Sequence, residues 1–194
     1  EDDDDSSDLS VSSIAANGGT IQDAADNDFS TTISDGDLGS VTVDGDAPDL
    51  ASVAAPNDTY GIGESFAVTV TWDEAVVVSG TPTITFSNSA TASYTSGSTT
   101  TALVFTYTVA EGHTDSSDLS ISSYSGTIAD SAGGAAAAVT GDLGSVVIDG
   151  DTPDITGCDA SDGTSGIGDA VTITCTFDSA VDVTGTPQIT LSNA

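Results

Sequence analysis

Residues 66–72 read Phe66-Ala67-Val68-Thr69-Val70-Thr71-Trp72. Large apolar side chains occupy every second position and small or hydroxylated ones fill the gaps, so the period is two and not the 3.6 of a helix. The stretch is therefore a β-strand with one buried face, and Trp72 belongs to that face. Outward from it, Val76-Val77-Val78 and Thr83-Ile84-Thr85-Phe86 are expected as two further strands. Gly80-Thr81-Pro82 separates them, because proline pre-sets a turn and cannot donate to a central ladder. More strands are expected at 50–54, 92–95, 103–109, 119–123 and 146–149, punctuated by Gly97, Gly112, Gly126 and the Gly133-Gly134 pair. Residues 135–138 suit either a helical turn or a small-residue edge.

The chain repeats itself. Residues 36–49 read GDLGSVTVDGDAPD, and residues 141–154, 105 positions on, read GDLGSVVIDGDTPD. The same offset carries Gly61-Ile62-Gly63 onto Gly166-Ile167-Gly168, Trp72-Asp73 onto Phe177-Asp178, Gly80-Thr81-Pro82 onto Gly185-Thr186-Pro187, and Ser87-Asn88 onto Ser192-Asn193. Upstream, Ser6-Ser7-Asp8-Leu9-Ser10 matches Ser116-Ser117-Asp118-Leu119-Ser120. The expected unit is 47–151, with 1–46 as the C-terminal part of a preceding unit and 152–194 as the N-terminal part of a following one. Seven or eight short strands in about 105 residues have the size and rhythm of an immunoglobulin-like sandwich, so the fold class expected is all-β, as tandem sandwich repeats. Neither flank holds a counterpart of Leu103-Val104-Phe105-Thr106-Tyr107, which would leave unpaired edges. Two readings follow: an excerpt of a longer tandem array, or flanks that complete each other between neighbouring copies by strand donation.

Composition narrows function. The 194 residues include 31 acidic side chains, no Lys or Arg and one His, for a formal charge of −31. Nucleic-acid binding is excluded, since phosphate affinity needs cations that release counterions, and anionic lipid surfaces are excluded for the same reason. Apolar residues still make up 37%, enough for a core. No run of about 18 apolar residues exists, so no membrane insertion is expected. The start Glu1-Asp2-Asp3-Asp4-Asp5 is the opposite of a basic signal-peptide n-region, so a processed product or an excerpt is expected. Only Glu1, Glu64, Glu74 and Glu111 are glutamates, so 27 of the 31 acids are aspartates. That bias points to turns and ligand loops more than to a uniformly acidified, halophilic exterior.

A short acidic linker with proline (44–49), YGIGE (60–64), VTVTWDEAVVVSGTP (68–82), LVFTYTV (103–109) and GGTIQDAADN (18–27) together resemble the bacterial immunoglobulin-like, cadherin-like tandem repeats of giant secreted adhesins and surface proteins. The resemblance runs over essentially the whole chain. It implies a β-sandwich module in an extended extracellular array, often stiffened by calcium, with scaffolding or adhesive roles. The linker Asp44-Gly45-Asp46-Ala47-Pro48-Asp49 also resembles cadherin-type junctions, where calcium locks consecutive domains end to end.

In such a sandwich the linker and two loops meet at one tip. That gathers Asp46 and Asp49 from the linker, Asp73 and Glu74 after the Trp72 strand, and Asp130. Crowded carboxylates repel unless a cation or proton intervenes, and with no Lys or Arg the expected answer is Ca²⁺, which favours hard oxygen ligands in flexible loops. The alternative is a set of solvated turn aspartates. The next junction repeats Asp149, Asp151, Asp154 and Asp178, but Ser179 stands where Glu74 would, so a weaker site is expected. Asp23, Asp26 and Asp28 are placed to serve the tip of the preceding unit.

Cys158 and Cys175 align with Val53 and Val70, positions on the first two strands, where a disulfide would pin one to the other; two buried thiols are the alternative. Asn57-Asp58-Thr59 is an N-glycosylation sequon. The two cysteines, and the absence of any trypsin site in a chain without Lys or Arg, suit a cell surface or extracellular setting. No catalysis is expected: carboxylate pairs abound without an aromatic-lined cleft, Trp72 faces the core, and His113 is read as a solvated loop residue with no nucleophile beside it. Two functions remain, a structural repeat of a surface fibre, filament or stalk that contacts copies of itself or neighbouring repeats end to end, and an adhesive module binding carbohydrate or a partner cell. Scarce exposed aromatics favour the first.

Overall fold

The computed structural model describes residue 6, residues 8–161 and residues 163–192; the acidic start 1–5, Ser7 and Asn193 lie outside them. Among the described residues ten strands are formed: β1 (Leu50–Ala54), β2 (Thr59–Tyr60), β3 (Ser65–Phe86), β4 (Thr91–Ser96), β5 (Thr100–Thr108), β6 (Ser120–Ala129), β7 (Gly141–Asp142), β8 (Val147–Ile148), β9 (Ile155–Ala160) and β10 (Ile173–Phe177). Among the described residues there is no helix, and the fold is all-β. Residues 135–138 form an edge: Ala135 bridges Ala129, and the N–H of Ala137 donates to the Pro48 carbonyl.

The spine is β3. It was expected as three strands with a turn at Gly80-Thr81-Pro82, yet it runs unbroken through all of them. Its first half pairs antiparallel with β1 on one side and with β5 on the other, and its second half pairs with β4 and β6. Its register shifts at several points, two of them by more than one residue. Pairing with β5 jumps from Thr71↔Ala102 to Val76↔Thr100, and pairing with β6 jumps from Ser79↔Thr127 to Thr83↔Ser125. Pro82 sits at the second jump, where the ladder skips residues and asks no N–H of it. Opposite, Gly126 has φ +106°, and a Cβ there would lie 2.7 Å from the Pro82 Cα. Glycine is what lets β6 continue past the bulge to Ala129, beyond the strand end expected at residue 123.

Parity survives both jumps. Phe66, Val68, Val70, Trp72, Val76, Ile84 and Phe86 are all buried, every one on an even position. With Leu103, Phe105 and Tyr107 of β5, Ile121 and Ile128 of β6, and Leu119, Val139, Val146 and Ile148, they form one core. Each such side chain contributes about 1.5–3 kcal/mol by leaving water. Tyr107 is central, meeting Phe66 and Phe86 edge-on with ring centroids at 5.4 and 5.1 Å. A short parallel pairing joins β2 to β8, closed by bonds from Val147 N–H to the Asp58 carbonyl and from Asp149 N–H to the Tyr60 carbonyl.

The flanks are sparser. Residues 8–46 carry isolated bridges such as Ser10↔Asp37 and Gln22↔Asp28. Ser6 and Val43 exchange backbone hydrogen bonds as Ser116 and Ile148 do at the matching positions. In the trailing flank, β9 and β10 form a hairpin in which Cys158 lies directly across from Cys175, as Val53 lies across from Val70. The two cysteines are disulfide-bonded, which resolves the alternative left open by the sequence. A bridge closing 17 residues restricts the unfolded chain by about 3 kcal/mol. Reduction is therefore expected to speed backbone hydrogen exchange in residues 155–177 while leaving β3, β5 and β6 unchanged. Equal exchange with and without reductant would show that the bridge holds nothing.

Candidate metal centre

Three carboxylates converge where the linker meets the bend of β3. One oxygen each from Asp44, Glu74 and Asp130 lies within 4.8 Å of the others. Among the described residues this is the group of acidic side chains dense enough to hold a metal ion. Each member arrives by a different route. Glu74 stands on the even, inward parity of β3 between Trp72 and Val76 and is half-buried. Asp44 belongs to the exposed linker, one residue after Val43.

Asp130 follows the last residue of β6 and is only 4% exposed. Its Oδ1 accepts three backbone N–H groups, from Ala132 at 2.7 Å, Gly133 at 2.6 Å and Gly134 at 3.0 Å. The loop is closed by Asp130 N–H donating to the Gly134 carbonyl. These bonds fix the carboxylate but engage one oxygen. Among the described residues the buried Oδ2 has no hydrogen-bond partner. A buried, charged oxygen left so is costly unless a cation meets it.

The surroundings fit a cation. A Cβ on Gly134 would collide with Asp130 Oδ2, and it would also lie 3.2 Å from the Asp46 carbonyl oxygen. Glycine thus keeps open the space beside both oxygens. Asp46, expected to offer its side chain, brings its backbone carbonyl to this spot. All the donors are hard oxygens, which suits an alkaline-earth cation better than a soft-ligand metal.

The other expected ligands have different places. Asp73 Oδ1 accepts the Asp49 N–H at 2.9 Å while Asp73 N–H donates to the Asp49 carbonyl, a clamp that ties linker to β3. Asp178 and Asp154 form the same reciprocal pair, also at 2.9 Å. Asp149, Asp151 and Asp178 line a cavity with Asp115 and Ser179 at the second linker. There Asp115 Oδ1 accepts the Gly150 N–H and Glu111 accepts from the Thr152 hydroxyl. In the leading flank Asp23 gathers backbone N–H bonds from Ala25 and Asn27 and a side-chain bond from Asn27. Those bonds, the Asn27 amide foremost, hold its carboxyl below the usual carboxylate range.

Asn57 is exposed in the loop between β1 and β2. His113 is not a solvated loop side chain: its Nδ1 accepts from Ala110 N–H at 3.0 Å and meets the Tyr107 hydroxyl at 2.9 Å. With both groups on one nitrogen, it serves as a packing element against Tyr107.

Comparison of the chain with protein-family models, with curated proteins and with solved structures finds no match. The disulfide suits an oxidising, non-cytoplasmic compartment, and among the described residues no helix is long and apolar enough to cross a membrane.

Proposed function

We propose that this chain is a stretch of an extracellular structural array, in which immunoglobulin-like β-sandwich repeats are joined end to end through acidic linkers to build a surface fibre, filament or stalk, with calcium bound at the junctions. The observation that carries this reading is the composition of the carboxylate cluster. Asp44 comes from the linker, while Glu74 and Asp130 belong to the sheet that follows it. An ion held by all three fastens the linker to the next module. Calcium is the ion of choice because it takes six to eight oxygens at about 2.3–2.6 Å with tolerant geometry, whereas magnesium demands a rigid octahedron.

The chain's own residues do the positioning. Asp130 is aimed by its three N–H bonds, Glu74 is held by β3, and the Asp49–Asp73 clamp sets where the linker enters. Pro48 is buried and its carbonyl accepts from Ala137, so the linker is seated before any ion binds. None of the ten aromatic residues is exposed, which weighs against a stacking surface for sugars and in favour of a structural role. Lack of cations also keeps neighbouring copies from pairing by charge alone, leaving the ion-bridged junction as the stiffening device.

The test is small-angle X-ray scattering of the chain with calcium and with chelator. Calcium is expected to lengthen the maximum dimension and sharpen the profile toward that of a rod, and to raise the melting temperature. Superimposable scattering and melting in the two conditions would remove the calcium-stiffened junction from the proposal.

A further inference from the structure

The Asp130 loop has a twin in the chain, and the two differ at the atom that matters. Gly126-Thr127-Ile128-Ala129-Asp130-Ser131-Ala132-Gly133-Gly134 aligns with Gly19-Thr20-Ile21-Gln22-Asp23-Ala24-Ala25-Asp26-Asn27. The backbone agrees as well. Ala129 bridges Ala135 as Gln22 bridges Asp28. Asp130 N–H donates to the Gly134 carbonyl at 3.0 Å, and Asp23 N–H donates to the Asn27 carbonyl at 3.0 Å. Oδ1 accepts from Ala132 and Gly134 in one loop, and from Ala25 and Asn27 in the other. Gly133 and Asp26 both hold positive φ, +105° and +63°.

The second carboxylate oxygen is treated differently. Among the described residues Asp130 Oδ2 is buried without a hydrogen-bond partner, and its carboxylate lies with those of Asp44 and Glu74. Asp23 Oδ2 accepts the side-chain amide of Asn27 at 2.9 Å. Glycine at the corresponding position 134 has no side chain to offer, and any Cβ there would strike Oδ2.

We infer that the last residue of this loop sets whether its aspartate recruits a divalent cation: Gly134 leaves Asp130 Oδ2 for a metal, while Asn27 supplies an amide donor that takes the metal's place at Asp23. The inference rests on the junction reading above for the identity of the ion. On this inference the Asp23 loop does not serve as a further calcium site. The Asp23 loop is instead a self-satisfied version, able to keep its shape in chelator. Loops of the two kinds give one chain both calcium-responsive and calcium-indifferent ends.

The test transplants one loop onto the other. The variant Ser131→Ala, Gly133→Asp, Gly134→Asn gives the Asp130 loop the sequence that the chain already folds at Asp23. Binding of calcium alone is followed by calorimetry, and melting is followed with calcium and with chelator. Calcium affinity at the Asp44–Glu74–Asp130 cluster is expected to fall about tenfold or more, and, with the Asp130 carboxylate turned off the new Cβ as Asp23 sits beside Asn27, the variant is expected to melt higher than the parent in chelator. Parental affinity, or no gain in chelator, would overturn the inference. If the parent itself ignores calcium, the junction reading falls, yet the chelator comparison still decides whether the amide satisfies Oδ2. Asn27→Gly provides a readout independent of the graft's folding. Faster hydrogen exchange of the Ala25 N–H in chelator supports the inference, and unchanged exchange contradicts it.

Discussion

Asp130→Asn is expected to abolish the calcium-dependent rise in melting temperature while leaving the chelated protein at least as stable as the parent. The substitution keeps an oxygen to accept the N–H groups of Ala132, Gly133 and Gly134, and it puts an amide where the orphaned Oδ2 stands beside Asp44 and Glu74. What disappears is the charge that would hold an ion. With calcium about a hundredfold above its dissociation constant, the lost stabilisation is about 2.7 kcal/mol, or roughly 10–20 °C for a domain near 100 residues. Asp130→Ala behaves differently, because it also strips the N–H groups of Ala132, Gly133 and Gly134 of their acceptor. It is expected to cost about 1–3 kcal/mol even in chelator. Calorimetric melting of both variants with and without calcium measures the two effects separately. Should Asp130→Asn retain the full calcium response, the carboxylate cluster is not the binding site.

Trp72 carries the second large effect. Its side chain is 1% exposed, it pairs across from Leu50, and among the described residues its Nε1 has no hydrogen-bond partner. Trp72→Ala opens a cavity beneath the bend of β3 and is expected to cost about 3–5 kcal/mol. Trp72→Phe leaves a smaller cavity and also removes an unsatisfied buried donor, itself a cost of about 1–3 kcal/mol. Its net penalty is therefore expected below about 1.5 kcal/mol. Urea unfolding followed by circular dichroism gives both values. A Trp72→Phe loss well above that figure would mean that the indole N–H is satisfied in solution. Because Asp73 and Glu74 follow directly, Trp72→Ala is also expected to weaken the calcium response.

Much of the core could be read from alternation alone, since the even positions that bury Phe66 through Trp72 remain buried at Val76, Ile84 and Phe86. The same parity marks Glu74 as an acid on an apolar face, a signal visible in the sequence as soon as the strand is carried past Trp72. Glu74 was already among the expected ligands, and what stayed hidden was the continuity of β3 through Gly80-Thr81-Pro82, read as a turn. Proline's missing N–H excludes it from a regular ladder, and the bulge opposite Gly126 is where a ladder stops being regular. Cys158 and Cys175 were legible because a second copy of the strands offers Val53 and Val70 as a template. Asp44 was not legible. In a linker where every second or third residue is acidic, composition cannot tell which carboxylate turns inward, and only the packing of Pro48 against the sheet selects it. Nor does residue type reveal that Asp46 contributes a carbonyl and Asp73 a clamp.

The parallel seam between β2 and β8 bears on how such a module meets load. The chain enters near Pro48 and leaves near Gly150, and Asp58 and Tyr60 from the entering side bond Val147 and Asp149 on the leaving side. Strands that run the same way and are tugged toward opposite ends slide along each other, so their hydrogen bonds strain together and not one after another. A thread of these modules would resist a steady pull better than the same contacts arranged as an antiparallel hairpin peeled from its tip.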